Sequence, residues 1–219
     1  MKWTIPNTLT LLRLIAAPGV PVMFLYFHRP LADWCALTLF VGAAITDYFD
    51  GYLARLWKQE SKFGTMLDPI ADKAMVVIAL MILTGYSGMN PWLILPATVI
   101  LFREVFVGGL REYLGDTAGT LKVTKLAKWK TTTQMLAIAI LFLGTGLEHI
   151  EGIARQGKTV QEYAQLVSQG LADPINSCGP RGCSSYATWV GLFLIWIAAA
   201  LTAITGWDYL RKALPHLED

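Results

Sequence analysis

The sequence predicts an all-α integral membrane protein with six transmembrane helices. Three observations carry that prediction. Hydrophobic residues make up 54% of the 219-residue chain against 16% charged, with a mean hydropathy of +0.46, whereas a soluble domain holds about 25% charged and 45–50% apolar residues. Six windows approach the roughly 20 apolar residues that cross a bilayer. Aspartates sit at the facing ends of two of those windows, where an ordinary span would carry none. This composition excludes a disordered chain, a secreted disulfide scaffold and an ordinary cytosolic enzyme. A net charge of +2, with no basic patch interleaved with aromatics, gives no reason to expect a nucleic-acid partner.

The windows are residues 9–27, 31–53, 66–86, 91–110, 131–147 and 186–210. Pro6 suits the start of the first helix, and Pro18 and Pro21 are expected to bend it. His28-Arg29-Pro30 and Ser87-Gly88-Met89-Asn90 are short polar turns that leave no room for another domain. The chain has no internal repeat and reads as one membrane domain, residues 1–219. Lys2 is the sole basic residue before an apolar stretch that Arg13 and two prolines interrupt, which makes a poor signal peptide. The N-terminus is therefore expected to be retained.

Basic residues set the orientation. With the N-terminus inside, fourteen of the 18 Lys and Arg residues fall on the inner side. Only Arg29, Arg155, Lys158 and Arg181 lie outside. Both termini are expected in the cytoplasm of an inner-membrane protein. The segment 148–185 is polar, contains glycine and is placed outside as a loop insertion, with a short helix expected at 161–167. Cys178 and Cys183 close a small loop there and are disulfide candidates in a non-reducing compartment. Cys35 lies in an apolar window and reads as a small buried residue.

Ionisable groups within membrane spans are costly and mark function by default. In Asp47-Tyr48-Phe49-Asp50-Gly51-Tyr52-Leu53-Ala54-Arg55, positions 47, 50, 51, 54 and 55 share one helical stripe. Gly64, Asp68 and Asp72 follow at i, i+4 and i+8 on the next helix. A short connection makes the two helices expected antiparallel neighbours, so four carboxylates converge near the cytoplasmic boundary. Bare, they would repel one another. Hard divalent cations such as Mg²⁺ (or Mn²⁺) relieve that repulsion through oxygen ligands, and a pair of ions about 3.5–4 Å apart is the clamp of phosphoryl chemistry. Gly51 and Ala54 leave room for a ligand on the helix, and Arg55 can reach a diphosphate with its fork. A plainer reading, helix caps or a solvated helix end, suits a single aspartate such as Asp68 before Pro69. It does not account for four with glycine and arginine interposed.

Residues 47–72 fit D-x2-D-G-x2-A-R-x8-G-x3-D-x3-D at every fixed position, and so resemble the CDP-alcohol phosphotransferase family. Further stretches are similar to members that use a glycerol phosphate acceptor. They are Pro6-Asn7-Thr8-Leu9-Thr10-Leu11-Leu12-Arg13, Asp68-Pro69-Ile70-Ala71-Asp72-Lys73, Arg103-Glu104, Leu110-Arg111-Glu112 and Lys128-Trp129-Lys130-Thr131-Thr132. The resemblance covers most of residues 1–147 and fades afterwards. It implies a six-helix membrane fold with a polar active-site cavity that faces the cytoplasm, a homodimer, and transfer of a phosphatidyl group from CDP-diacylglycerol to sn-glycerol 3-phosphate with release of CMP. By the same resemblance, Asp47, Asp50 and Asp68 hold two metal ions, and Asp72 completes the site as general base. Gly51, Ala54, Arg55, Ser61 and Gly64 would lie along the CDP-diacylglycerol, with Thr10 or Arg13 nearby.

The acceptor is read from a second set of charges. Arg103 lies about 12 Å along one helix from Arg111, at a depth where it must face a polar cavity or pair with an acid. Glu104, one position on, is expected to point elsewhere. With Lys128 and Lys130 these cations suit a phosphomonoester, whereas Lys122 and Lys125 read as positive-inside bias. The same chemistry with inositol phosphate, serine or phosphatidylglycerol as acceptor is the alternative. A transporter, the remote alternative, would more naturally show internal repeats and broken helices.

Overall fold

A computed structural model describes residues 5–56, 62–115, 126–171 and 185–216, apart from the side chains of residues 5–6, 48–55, 62 and 126–128. Within those residues the protein is all helical. Six long helices follow one another: α1 Ile5–Tyr26, α2 Leu31–Leu56, α3 Lys62–Tyr86, α4 Pro91–Leu114, α5 Leu126–Arg155 and, after a short α6 at Val160–Ser168, α7 Tyr186–Ala213. A 3-10 turn, Leu214–His216, follows α7. Each apolar window of the sequence falls on one long helix, the first overrunning its helix only at Phe27. Among the described residues, α1, α4, α5 and α7 contain stretches long and apolar enough to cross a membrane.

Local chemistry sets the ends. Asn90 caps α4 by accepting from the Trp92 N–H, with Pro91 in the first turn where it forfeits no helical hydrogen bond. Thr159 and Glu162 form a reciprocal capping box at the start of α6, close to the expected short helix. Pro18, Pro21 and Pro69 are accommodated inside continuous helices.

One expectation needs correction, and one is refined. Residues 148–155 are not loop: α5 runs through them to Arg155. His149 and Ile153, one turn apart and each 1% exposed, bury the extension, and Glu148 accepts the Ser185 N–H at the start of α7. The neighbourhood of α2 and α3 is refined: among the described residues they are joined chiefly through α1. α1 packs extensively against both, as α5 packs against α7 and α2, and α4 against α7. A short connection brings two helix ends together without dictating what fills the space between the helices.

Small residues allow the close approaches. A Cβ on Gly19 would lie 2.9 Å from Leu39 Cδ2, and one on Gly191 would lie 2.8 Å from Leu141 Cγ. Where apolar surface on both sides is equally at home in lipid, such backbone proximity is what dispersion can use to hold helices together. Ala17, Phe40, Met75, Leu80, Ile138, Phe142 and Ile195 fill the centre.

Candidate active site

The first helix organises the aspartates. Thr10 and Arg13, one turn apart, are both buried. Thr10 Oγ1 donates to Asp68 Oδ1 at 2.7 Å. Arg13 Nη1 lies 2.6 Å from Asp47 Oδ1 and 3.0 Å from Asp72 Oδ1. Three of the four expected aspartates, from α2 and α3, are thus joined through α1. The Arg13 side chain is fully enclosed, whereas Asp47 and Asp72 remain 43% and 41% exposed. The carboxylates therefore have one side on protein and one side open.

Asp50, Gly51, Ala54 and Arg55 continue the α2 stripe, but their side chains lie outside the described residues, as does Ser61. Gly64 is buried one turn before Asp68. Cys178 and Cys183 also lie outside the described residues; Cys35 is a free thiol, partly buried rather than fully so.

The donor set suits a hard divalent cation. Carboxylate oxygens are its preferred ligands, and the space between Asp47 and Asp72 already holds a positive group, the Arg13 guanidinium. Among the described residues no three carboxylate, imidazole or thiolate groups are gathered into a cage. Arg13 and Thr10 instead take up the carboxylate oxygens.

A second charged cluster involves α3, α4, α5 and α7. Here the sequence expectation for Glu104 is overturned. Glu104 Oε1 accepts from Arg103 Nη1 at 3.2 Å and from Lys130 Nζ. Adjacent helical positions diverge by about 100°, but a long guanidinium can bend back over its neighbour, and burial makes an unpaired charge too costly. Lys73, next in the chain to Asp72, lies within electrostatic range of both Glu104 and Lys130. Its Nζ approaches α4 at Gly108, 3.2 Å from where a Cβ would stand. Arg111 lies 5.2 Å above the Tyr209 ring. Lys128 has no described side chain.

Sequence reasoning missed Glu104, Lys73, Tyr209 and Gly206 here. An acid inside a span was the available signal for Glu104. Nothing in the sequence pointed to Gly206, whose missing side chain admits Arg103: a Cβ there would lie 2.9 Å from Arg103 Cγ. Arg103 Nε and Tyr209 Oη are buried without a hydrogen-bond partner among the described residues. Two donors beside a cluster of cations thus lack an acceptor among the described residues.

The opposite end of the bundle carries a different polar cluster, about 21 Å along α2 from Asp47 to Asp33. Arg29 grips buried Asp33 with two nitrogens, at 2.8 and 2.7 Å, and the Thr145 carbonyl at 3.0 Å. His149 meets the Tyr163 ring edge-on, which seats α6 against the end of α5.

A family model described as CDP-alcohol phosphatidyltransferase matches residues 3–204, well past the point where the motif resemblance fades. A Cereibacter sphaeroides protein named CDP-diacylglycerol–glycerol-3-phosphate 3-phosphatidyltransferase is 80% identical over 219 residues, covering 100% of this chain and 99% of its own length. A Rickettsia bellii protein of the same name is 37% identical over 207 residues, 94% of this chain and 93% of the relative. One from Sodalis glossinidius is 41% identical over 145 residues, 64% of this chain and 78% of the relative.

Proposed function

The chain belongs to the CDP-alcohol phosphatidyltransferase family, and from that premise we propose how its two charged clusters divide the work. The protein is a transferase that moves the phosphatidyl group from CDP-diacylglycerol to sn-glycerol 3-phosphate, giving phosphatidylglycerophosphate and CMP. The observation that carries this reading is the 80% identity, over the full length of both chains, to a relative named for that reaction.

The aspartates of α2 and α3 take the nucleotide end. Asp47, Asp50, Asp68 and Asp72 would hold two Mg²⁺ or Mn²⁺ ions, which when bound neutralise the diphosphate and the departing CMP. Gly51, Ala54 and Gly64 leave space along the two helices, and Arg55 and Ser61 contact the diphosphate side. Asp72 accepts the proton of the attacking glycerol hydroxyl as its oxygen bonds to the lipid-side phosphorus and the bond to CMP breaks. The open flank of Asp72 suits that role.

The cations of α4 and α5 take the acceptor. Arg103, Arg111, Lys128 and Lys130 surround a doubly charged phosphomonoester, and Arg103 Nε offers it an unused donor. A serine or an uncharged alcohol would leave that group unpaired. All six long helices span the inner membrane in this reading, with both termini and the site on the cytoplasmic side, and the protein works as a homodimer. The adjacency of Lys73 to Asp72 supports it, since one residue step separates the acidic group from the cations around Glu104.

An acceptor panel tests it: CMP release from CDP-diacylglycerol with glycerol 3-phosphate, glycerol, serine, inositol phosphate or phosphatidylglycerol, with and without divalent metal. Metal-dependent release with glycerol 3-phosphate, and little with glycerol, is expected. Arg103→Ala and Arg111→Ala should raise KM for glycerol 3-phosphate far more than for CDP-diacylglycerol. A better rate with serine or phosphatidylglycerol overturns the acceptor, and metal-independent release overturns the mechanism.

A further inference from the structure

Arg13 holds an unusual position for a cation in a phosphate-handling site. Its side chain has no exposure, so in this arrangement it cannot touch a ligand directly. One nitrogen, Nη1, serves Asp47 of α2 and Asp72 of α3 together, at 2.6 and 3.0 Å. Those two helices rely on α1 for their packing. The positive group therefore lies on the enclosed side of two carboxylates whose other side is open.

We infer that Arg13 is the built-in counter-ion of the site, a positioning residue that keeps Asp47 and Asp72 in register before a divalent cation arrives. The inference rests on reading the aspartates as cation ligands. A guanidinium suits the task because it is charged at every working pH and less strongly hydrated than an ammonium. Thr10, one turn earlier, holds Asp68 with a neutral hydroxyl, so both fixing contacts come from one face of α1.

Two consequences have opposite signs. Without the Arg13 charge, Asp47 and Asp72 repel each other, and the metal-free protein loses stability. The same loss makes the pair a better cation site, because an incoming ion no longer competes with or is repelled by a fixed positive charge. A residue needed only for packing would lower stability without tightening metal binding.

The test uses the full-length protein in detergent, stripped with EDTA and titrated with MgCl2 or MnCl2 while thermal unfolding is followed. Arg13→Gln keeps hydrogen-bond donors but drops the charge, Arg13→Met is a second neutral variant, and Arg13→Lys keeps the charge. The neutral variants should melt earlier without metal, yet reach half of their metal-induced shift at a metal concentration lower by about tenfold or more. Arg13→Lys, which keeps the charge, should hold the metal midpoint closer to the parent's than either neutral variant does. If the neutral variants melt too early to titrate, Mn²⁺ bound at low temperature, counted by electron paramagnetic resonance, makes the same comparison. An unchanged or higher midpoint, with the parent protein responding normally, overturns the counter-ion role and leaves the cation site standing. No metal response in the parent protein, with Asp72→Asn indistinguishable from it, overturns the cation reading and this inference together.

Discussion

Lys130 of α5 and Glu104 of α4, 26 positions apart in the chain, are joined by an ion pair in which both side chains are largely buried. Arg103 donates to the same carboxylate oxygen. Glu104 thus neutralises two cations through one carboxylate oxygen, as a phosphate in the proposed acceptor site would.

Removing that acid strands buried charge. Glu104→Gln should destabilise the protein by about 3–5 kcal/mol, the usual cost of breaking a buried pair. Glycerol 3-phosphate should restore part of the loss, because a ligand that binds the folded state raises its stability. Thermal unfolding with and without the ligand checks this. A larger ligand-induced shift in the variant than in the parent is the expected outcome, and equal shifts would place the pair outside the acceptor site.

Asp72→Asn keeps the shape of the side chain and removes its capacity to take a proton. Turnover should fall by roughly 10²–10⁴-fold, the range of general-base contributions, while CDP-diacylglycerol binding survives. Asp47→Asn, Asp50→Asn and Asp68→Asn should weaken nucleotide binding as well. Steady-state kinetics beside a nucleotide-binding measurement separates the two effects. Rapid turnover by Asp72→Asn would remove it from the base role.

Gly144 and Gly191 set the contact between α5 and α7. A Cβ on Gly191 would meet Leu141 Cγ at 2.8 Å and its backbone N at 3.2 Å, and one on Gly144 would meet the Thr188 backbone N at 3.0 Å. Gly191→Val and Gly144→Val should each cost about 1–3 kcal/mol by overpacking. Unfolding in detergent should show the loss, with substrate KM values little changed in the folded fraction.

The cysteine pair in segment 148–185 gives a test of orientation. Cys178 and Cys183 should resist alkylation until reduced, read as a mass shift before and after reductant. Double replacement by serine should spare catalysis, because the proposed topology puts the aspartate site on the other side. Free alkylation of both thiols in protein from an oxidising compartment refutes the bridge.

Much of this protein is determined by the sequence alone. Runs of apolar residues bounded by Pro, Gly and Asn define six long helices, since backbone groups kept from water must pair within their own helix. The spacing of Asp47 and Asp50, and of Asp68 and Asp72, puts each pair on one face of its helix, because 3.6-residue periodicity is a property of one helix at a time. Relations between helices do not follow from such periodicity. Only the tertiary structure puts α1 against both α2 and α3, so that Thr10 and Arg13 hold the aspartates. It alone turns Glu104 toward Lys130 and seats Arg103 against Gly206. The continuation of α5 to Arg155 belongs with these, since polar residues there stay helical where His149 and Ile153 find buried partners. In each case the deciding energy is the cost of burying a charge or leaving a gap, and that cost is set by residues distant in the chain.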